Sequence, residues 1–104
     1  MSEYIPDRWV ILKFTSKKHG EIRKVFSGWY GGFAGSDDWR LSSGITNIEE
    51  KLELYLIHNE SGSTYLCYKN NHGMSGYMSS IFASWKKQEN EDTKIEIESN
   101  ETGI

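Results

Sequence analysis

The fold is decided near the N-terminus, in the stretch Arg8-Trp9-Val10-Ile11-Leu12-Lys13-Phe14-Thr15. In an extended strand Val10, Leu12 and Phe14 alternate onto one face, and Trp9 and Ile11 make the opposite face apolar as well. A strand that is apolar on both faces has to be covered on both faces. We therefore predict a central strand here, with other elements packed around it.

Further strands are predicted on either side of polar turns. The turn Ser16-Lys17-Lys18-His19-Gly20 is followed by β-branched and aromatic residues at 22–30, which predicts a hairpin. Residues 39–43 predict a short strand. Residues 48–58 predict a longer strand with Leu52, Leu54 and Leu56 facing inward, paired through a turn at residues 59–62 with an antiparallel strand at residues 63–69.

One helix is predicted after the turn at residues 70–73. Ser75 is a suitable N-cap, and Lys86 and Lys87 suit the negative end of the helix dipole. The apolar face consists of Tyr77, Met78, Ile81, Phe82 and Trp85. The predicted class is α+β: a curled antiparallel sheet of five or six strands with one helix of the C-terminal half packed on it, and a partly closed small barrel as the nearest alternative.

The charges are unevenly distributed over the 104 residues. Residues 1–87 hold 11 Lys and Arg against 9 Asp and Glu, and residues 88–104 hold Lys94 against six acidic residues, which together give the net charge of -3. We predict one compact domain at residues 1–87 and an acidic tail at 88–104. The alternation in Thr93-Lys94-Ile95-Glu96-Ile97-Glu98 predicts an edge strand within that tail, and a disordered tail is the alternative.

Several classes of protein are disfavoured by composition. Lone Cys67 allows neither an internal disulfide nor a cysteine zinc site, and we expect it to pack inside a strand. The polar N-terminus lacks the apolar run of a signal peptide, and no stretch approaches the ~18 apolar residues of a membrane helix. Acidic net charge disfavours binding of duplex DNA. We expect a cytoplasmic protein without membrane contact, cofactor or metal.

The most unusual segment, residues 28–45, combines five of the ten glycines with large rings and an arginine. Planar rings stack on flat ligands, and a guanidinium binds a phosphate or carboxylate through two parallel hydrogen bonds. The segment therefore predicts a binding pocket, whereas a structural turn with its rings in the core is the alternative. The proposed pocket consists of Trp29, Tyr30, Phe33, Trp39 and Arg40. Asp37 and Asp38 either accept from a ligand, shape an Asx turn or stay solvated.

Two polar clusters are further binding candidates. Ser42, Ser43 and His72 lie beside glycines, where hydroxyl and backbone N–H groups suit contacts to an anion. Turn chemistry and helix capping are the structural alternative. Cys67, His19 and His58 add possible nucleophiles and bases, but no catalytic signature surrounds any of these residues, so no catalytic residue is predicted.

Three segments together resemble small, uncharacterised accessory proteins of tailed bacteriophages, over about residues 8–87. They are Trp9-Val10-Ile11-Leu12-Lys13, the block from Gly28-Trp29-Tyr30-Gly31-Gly32 to Trp39-Arg40-Leu41-Ser42-Ser43-Gly44-Ile45, and Ser61-Gly62-Ser63-Thr64-Tyr65-Leu66-Cys67-Tyr68-Lys69. The family has no established activity or site residues. The resemblance implies a viral protein acting in the cytoplasm of the infected bacterium, where such proteins bind and neutralise a host factor or a defence signal.

These observations predict a non-enzymatic binding protein that captures or occludes a host or host-defence protein. The first alternative is a sponge for a small anionic ligand such as a nucleotide signal, and the second is a small hydrolase or nuclease. The hydrolase requires His58 or His72 to meet a serine or a carboxylate. A homodimer through residues 95–97 or through the aromatic loop is also compatible with the sequence.

Overall fold

A computed structural model describes residues 2–31 and 36–98, and this part of the chain forms eight strands and one α-helix. A single 3-10 turn, Lys69–Asn71, precedes the helix. The elements are β1 (Glu3–Tyr4), β2 (Arg8–Ser16), β3 (Gly20–Trp29), β4 (Asp38–Leu41), β5 (Ile45–Glu50), β6 (Leu54–Asn59), β7 (Thr64–Tyr68), α1 (Gly76–Lys87) and β8 (Thr93–Ile97).

The strands form two sheets of four. Sheet I has the order β1-β7-β6-β5 and sheet II the order β4-β3-β2-β8, and neither sheet is closed within the described residues. The α+β class with one helix is confirmed, but two sheets replace the single predicted sheet of five or six strands. The β1 and β7 strands also pair in parallel, so the architecture is not purely antiparallel.

The central position predicted for β2 explains why a second sheet is present. Trp9 and Ile11 are buried in one core with residues of sheet I, including Ile57 and Tyr65. The opposite face of sheet II forms a second core, made of Val10, Leu12, Phe26 and Met78. Sheet II is thus the middle layer between sheet I and α1, because its longest hairpin is apolar on both faces.

The predicted long strand at residues 48–58 is wrong. Two strands, β5 and β6, replace it, and the backbone N–H of Lys51 donates to the carbonyl of Leu54 across the turn between them. Leu52 lies in this turn and is 91% exposed, although it was expected to face inward. After this turn the inward-facing positions shift by one residue, so Tyr55 and Ile57 face the core.

The helix begins as predicted. The Oγ atom of Ser75 accepts a hydrogen bond from the backbone N–H of Met78, which satisfies one of the free donors of the first turn. Met78 is completely buried against β3. It packs so closely on Gly28 that a Cβ atom at this position would collide with the Met78 sulfur, so the helix needs glycine there.

The strand predicted within the acidic tail lies at one edge of sheet II, where β8 pairs with β2. Its outer edge is covered at Ile95, whose N–H donates to Glu89 Oε2 at 2.6 Å and whose carbonyl accepts from Lys86 Nζ at 2.9 Å. Unpaired strand edges favour pairing with other chains, so these contacts protect the Ile95 part of the edge that was considered as a dimer interface. Residues 99–104 of the predicted tail lie outside the described residues.

Candidate functional site

The short strand β4 positions the predicted binding residues. It lies at the other edge of sheet II and pairs only with β3, with Trp39 opposite Gly28 and Arg40 opposite Ser27. Successive side chains of a strand point to opposite faces. Trp39 therefore lies on the helix side, where its ring centroid is 5.5 Å from that of Trp85, and Arg40 lies on the side of sheet I.

Arg40 is held in place by aromatic rings. Its Cζ atom lies 4.6 Å from the centroid of the Tyr4 ring, and Tyr4 in turn stacks on Tyr65 with centroids 4.9 Å apart. Burial raises the pKa of Tyr65, and the positive charge of Arg40 partly opposes this rise. No carboxylate of residues 2–31 or 36–98 lies within 4.0 Å of the guanidinium, so its charge has no acidic partner there.

A polar cavity of about 320 Å³ lies beside Arg40, and we call it the serine pocket. It is lined by Arg40, Leu41, Ser42, Ser43, Ser61, Ser63 and Tyr65. The structure thus brings three predicted residues, Arg40, Ser42 and Ser43, into one site. Ser61, Ser63 and Tyr65 were not predicted, because they come from the β6–β7 turn and β7, which reach β4 only through the packing of the two sheets.

The serine hydroxyl groups of the pocket differ in whether their hydrogen is free to donate. The Oγ of Ser42 accepts from the Val25 N–H at 2.8 Å and donates to the Ser43 carbonyl, so it terminates β4 and has no free hydrogen. The Oγ of Ser43 accepts from the Ser61 N–H, and the Oγ of Ser63 accepts from the Ser61 hydroxyl. Within the described chain, the hydroxyl hydrogens of Ser43 and Ser63 have no acceptor and remain available to an anion.

A second cavity, the aromatic cleft, lies at the start of β4. It has a volume of about 220 Å³ and is lined by Tyr4, Trp29, Asp38, Trp39 and Arg40. Trp29 is half-buried, with its Nε1–H donating to the Ile5 carbonyl at 2.9 Å and its ring meeting Tyr4 edge-on. It therefore anchors the N-terminal segment beneath Arg40 in addition to forming a wall of the cleft.

The acidic residues of the loop shape its backbone. Asp37 Oδ1 accepts from the Gly31 N–H, and Asp38 Oδ1 accepts from the Trp39 N–H. The Tyr30 N–H donates to Asp7 Oδ2, and the Tyr30 residue is 54% exposed. Neither contact of Asp37 or Asp38 is an Asx turn, in which the side chain accepts from the backbone N–H two residues ahead. Phe33, the remaining aromatic residue of the predicted pocket, lies outside the described residues.

His72 is not brought to this site. Its ring packs edge-on against Trp9 with centroids 4.7 Å apart, and burial lowers the pKa of His72, assisted by the charge of Arg8. The pairings His72–Trp9, Trp9–Ser27 and Ser27–Arg40 place it three strand positions from Arg40. At about 4.8 Å per strand, this separation is about 14 Å.

His58 meets the requirement set for a hydrolase in part. Its Nε2 atom lies 2.7 Å from Glu49 Oε2, and its Nδ1 atom lies 3.1 Å from Thr64 Oγ1. The hydrogen bond from His58 is the main cause that lowers the pKa of Glu49. None of the three forms a wall of the cavities described here, and the Thr64 N–H already donates to the Ser2 carbonyl. The arrangement thus lies outside these three cavities, and the Thr64 N–H is not free to stabilise an oxyanion.

A larger cavity was missed by sequence reasoning. This apolar groove has a volume of about 490 Å³ and lies on the helix side of sheet II. Its apolar walls are Phe14, Ile22, Leu41, Trp85 and Ile95, and its rim includes His19, Glu89 and Lys94. The walls come from five different elements, so no local pattern could indicate the groove.

Other chemistry finds little support in the described chain. Cys67 is completely buried, as predicted, and burial raises the pKa of its thiol. No group of three His, Cys, Asp or Glu side chains among residues 2–31 and 36–98 is placed to hold a metal ion. The single helix there is too short and too polar to cross a membrane.

No family model, curated protein or solved structure matches this chain. Its function therefore has to be inferred from the geometry of its surfaces.

Proposed function

We propose that this protein is a non-enzymatic binding protein that captures a partner protein through the surface around Arg40. In the setting implied by the resemblance to phage accessory proteins, the partner is a host or host-defence protein in the bacterial cytoplasm. Binding occludes the partner, and no chemical step is involved.

The observation that carries this proposal is that Arg40 is ordered but has no acidic partner among the described residues. Its guanidinium is fixed by Tyr4 and has no carboxylate partner among the described residues. Arginine is favoured at interface hot spots, and a side chain that is ordered before binding loses less conformational entropy when the complex forms. An acidic side chain of the partner would supply the missing counter-charge through two hydrogen bonds.

Exposed apolar side chains are sequence neighbours of the residues that line the aromatic cleft: Ile5 follows Tyr4, Tyr30 follows Trp29, and Trp39 precedes Arg40. Ile5 is 57% exposed and Trp39 is 37% exposed, and the Tyr30 ring also faces solvent. Arginine together with exposed aromatic and aliphatic groups is a composition favoured at protein interfaces. We call this set, Ile5, Tyr30, Trp39 and Arg40, the Arg40 surface.

A small anionic ligand is the second candidate, and the serine pocket favours it. The guanidinium of Arg40 and the free hydroxyl hydrogens of Ser43 and Ser63 converge on one cavity, where a phosphate would find several donors. The adjoining aromatic cleft offers rings to a flat base. This arrangement suits a nucleotide whose phosphate enters the serine pocket.

The first experiment compares three proteins in affinity capture from bacterial lysate: the wild type, Arg40→Gln and the control Lys18→Gln. Lys18 lies in the exposed β2–β3 turn, away from the Arg40 surface. We expect a captured protein that Lys18→Gln retains, and an affinity for the purified partner that Arg40→Gln lowers by at least about tenfold. Equal affinity of the wild type and Arg40→Gln would contradict the proposal.

Thermal shift separates the two candidates. A nucleotide or cyclic dinucleotide at about 100 times its Kd raises the free energy of unfolding by about 2.7 kcal/mol. A shift with nucleotides that Arg40→Gln removes, without any captured protein, would favour the ligand sponge. Chemical conversion of the nucleotide during the assay would favour the hydrolase instead.

A further inference from the structure

We propose that the outer edge of β4 accepts an extended segment of the partner as an additional strand, and that this segment alternates apolar and acidic side chains. The inference rests on the proposed function and specifies how the partner is held. It follows from the unpaired backbone of β4 and from the two different cavities that flank this strand.

The backbone pairing shows which groups of β4 face outward. The Ser42 N–H donates to the Val25 carbonyl of β3. Alternate residues of a strand direct their backbone groups to the same edge, so Arg40 and Asp38 also direct theirs toward β3. Trp39 and Leu41 direct theirs away from the sheet. The Trp39 N–H donates to Asp38 Oδ1, whereas the Trp39 carbonyl and both backbone groups of Leu41 have no partner among the described residues.

The opposite edge of the same sheet does not offer such groups at its centre. There the outward N–H and carbonyl of Ile95 are bonded by Glu89 and Lys86 from the end of α1. No described side chain bonds Leu41 in this way. An added strand at β4 would satisfy these groups, which is the main-chain contribution to binding when a sheet is extended.

Each face of β4 carries its own cavity. The apolar groove reaches the strand at Leu41 on the helix side, and the serine pocket reaches it at Arg40 on the side of sheet I. Residues of an added strand point to the same two faces as the residues they oppose. Those opposite Trp39 and Leu41 would meet apolar walls, and the one opposite Arg40 would meet the guanidinium and the serine hydroxyls.

The chemistry of these cavities selects the sequence of the segment. An apolar side chain removes area of Leu41 and Trp39 from water, and an acidic side chain pairs with the free charge of Arg40. A basic residue opposite Arg40 would place two like charges side by side. The central three residues of the favoured peptide are therefore apolar, acidic and apolar. A nucleotide has no such alternation along an extended backbone.

The probe for this inference is a displayed library of random eight-residue peptides, selected on the full-length protein. We expect enrichment of peptides with an acidic residue flanked on both sides by apolar ones. Binding of a selected peptide should fall at least about tenfold in Arg40→Gln and persist in Lys18→Gln. A selection that enriches nothing, or enriches sequences without this alternation, overturns the inference.

Backbone pairing is tested separately from side-chain fit. Methylation of one peptide nitrogen removes one N–H, and neighbouring residues of a strand direct their N–H groups to opposite edges. We therefore expect N-methylation at the central acidic residue and at the next apolar residue to differ, with one abolishing binding and the other being tolerated. Equal tolerance of both peptides overturns the inference.

Hydrogen exchange at the Leu41 amide completes the test. This N–H should exchange more slowly when a selected peptide is bound, and at the same rate at low and high protein concentration without peptide. Slowing that depends on protein concentration alone would place a second copy of the chain on this edge and overturn the inference. If Arg40→Gln weakens the captured partner but that partner leaves Leu41 unprotected, the strand-addition model fails and the proposed function stands; if Arg40→Gln has no effect, both fail.

Discussion

Strands β2 and β4 belong to the same sheet, yet they show opposite relations to their surroundings. Both faces of β2 are covered, by sheet I and by α1, and its side chains from Trp9 to Leu12 are all buried. Both faces of β4 open into cavities, and one of its edges is unpaired. The comparison suggests that β2 stabilises the fold and that β4 is available for binding.

The largest expected effect is on the core beside β2. Phe26, on β3, is completely buried. It packs with Val10 and Leu12 of β2 and with Met78 of α1. We expect Phe26→Ala to lower the free energy of unfolding by about 3–5 kcal/mol, because it leaves a cavity in a packed core. Chemical denaturation measures this change, with the exposed helix residue Tyr77→Ala as a control that should stay within about 0.5 kcal/mol. A loss below about 1 kcal/mol in Phe26→Ala would contradict the assignment of this core.

Trp29 should give an intermediate effect, since it lies between the two regions. Its ring is half-buried and its Nε1–H anchors Ile5. We expect Trp29→Ala to cost about 1–3 kcal/mol, and Trp29→Phe, which keeps a ring but loses the hydrogen bond, to cost about 1 kcal/mol. The same denaturation assay distinguishes them. Equal stability of Trp29→Ala and the wild type would show that the ring serves binding alone.

The pH dependence of stability tests the burial of His72. Burial lowers the pKa of His72 below 6.5, so the unfolded chain binds this proton more readily than the folded chain. The contribution of neutral His72 to stability is therefore fully present above its pKa in the unfolded chain. It is lost as the pH falls through 6.5 toward the lower pKa of His72 in the folded chain. Denaturation from about pH 7 to about pH 5 should show a decline that is shallower in His72→Gln. Identical slopes in the two proteins would contradict this prediction, and comparing their slopes removes the contribution of the other titrating groups.

Arg40 should have the smallest effect on stability and a large effect on binding. It is exposed and has no ion pair among the described residues. We expect Arg40→Gln to change the free energy of unfolding by less than about 1 kcal/mol, which is the loss of its contact with Tyr4. Thermal denaturation measures this change. A loss comparable to that of Phe26→Ala would make Arg40 a structural residue and remove the distinction between β2 and β4.

The features of the fold that were predicted are those with a local cause. The two apolar faces of β2 are visible in adjacent residues, and the helix start requires only Ser75 and its own first turn. Leu52 was misplaced because three leucines at alternate positions mimic one continuous strand. Nothing in that alternation marks the turn that exposes this residue.

The candidate site was predicted in part for a similar reason. Arg40 was chosen as the cationic centre because of its aromatic neighbours. Trp29, Asp38 and Trp39 line the aromatic cleft with it, although the side chains of Trp39 and Arg40 leave β4 on opposite faces. Ser63 and Tyr65 reach Arg40 only because sheet I packs on sheet II. Such contacts depend on tertiary packing, which local patterns do not contain.

The pairing of β2 with β8 has a consequence for synthesis on the ribosome. β2 is synthesised well before its second neighbour β8, which follows about 80 residues later in the chain, with Leu12 opposite Ile97 and Arg23 bonded to Glu98. Until then, one edge of the most apolar strand has no partner. At about 5–20 residues per second, this interval lasts several seconds. A nascent chain interrupted before β8 would present that edge to other chains, so this edge of β2 is protected only after β8 has been synthesised.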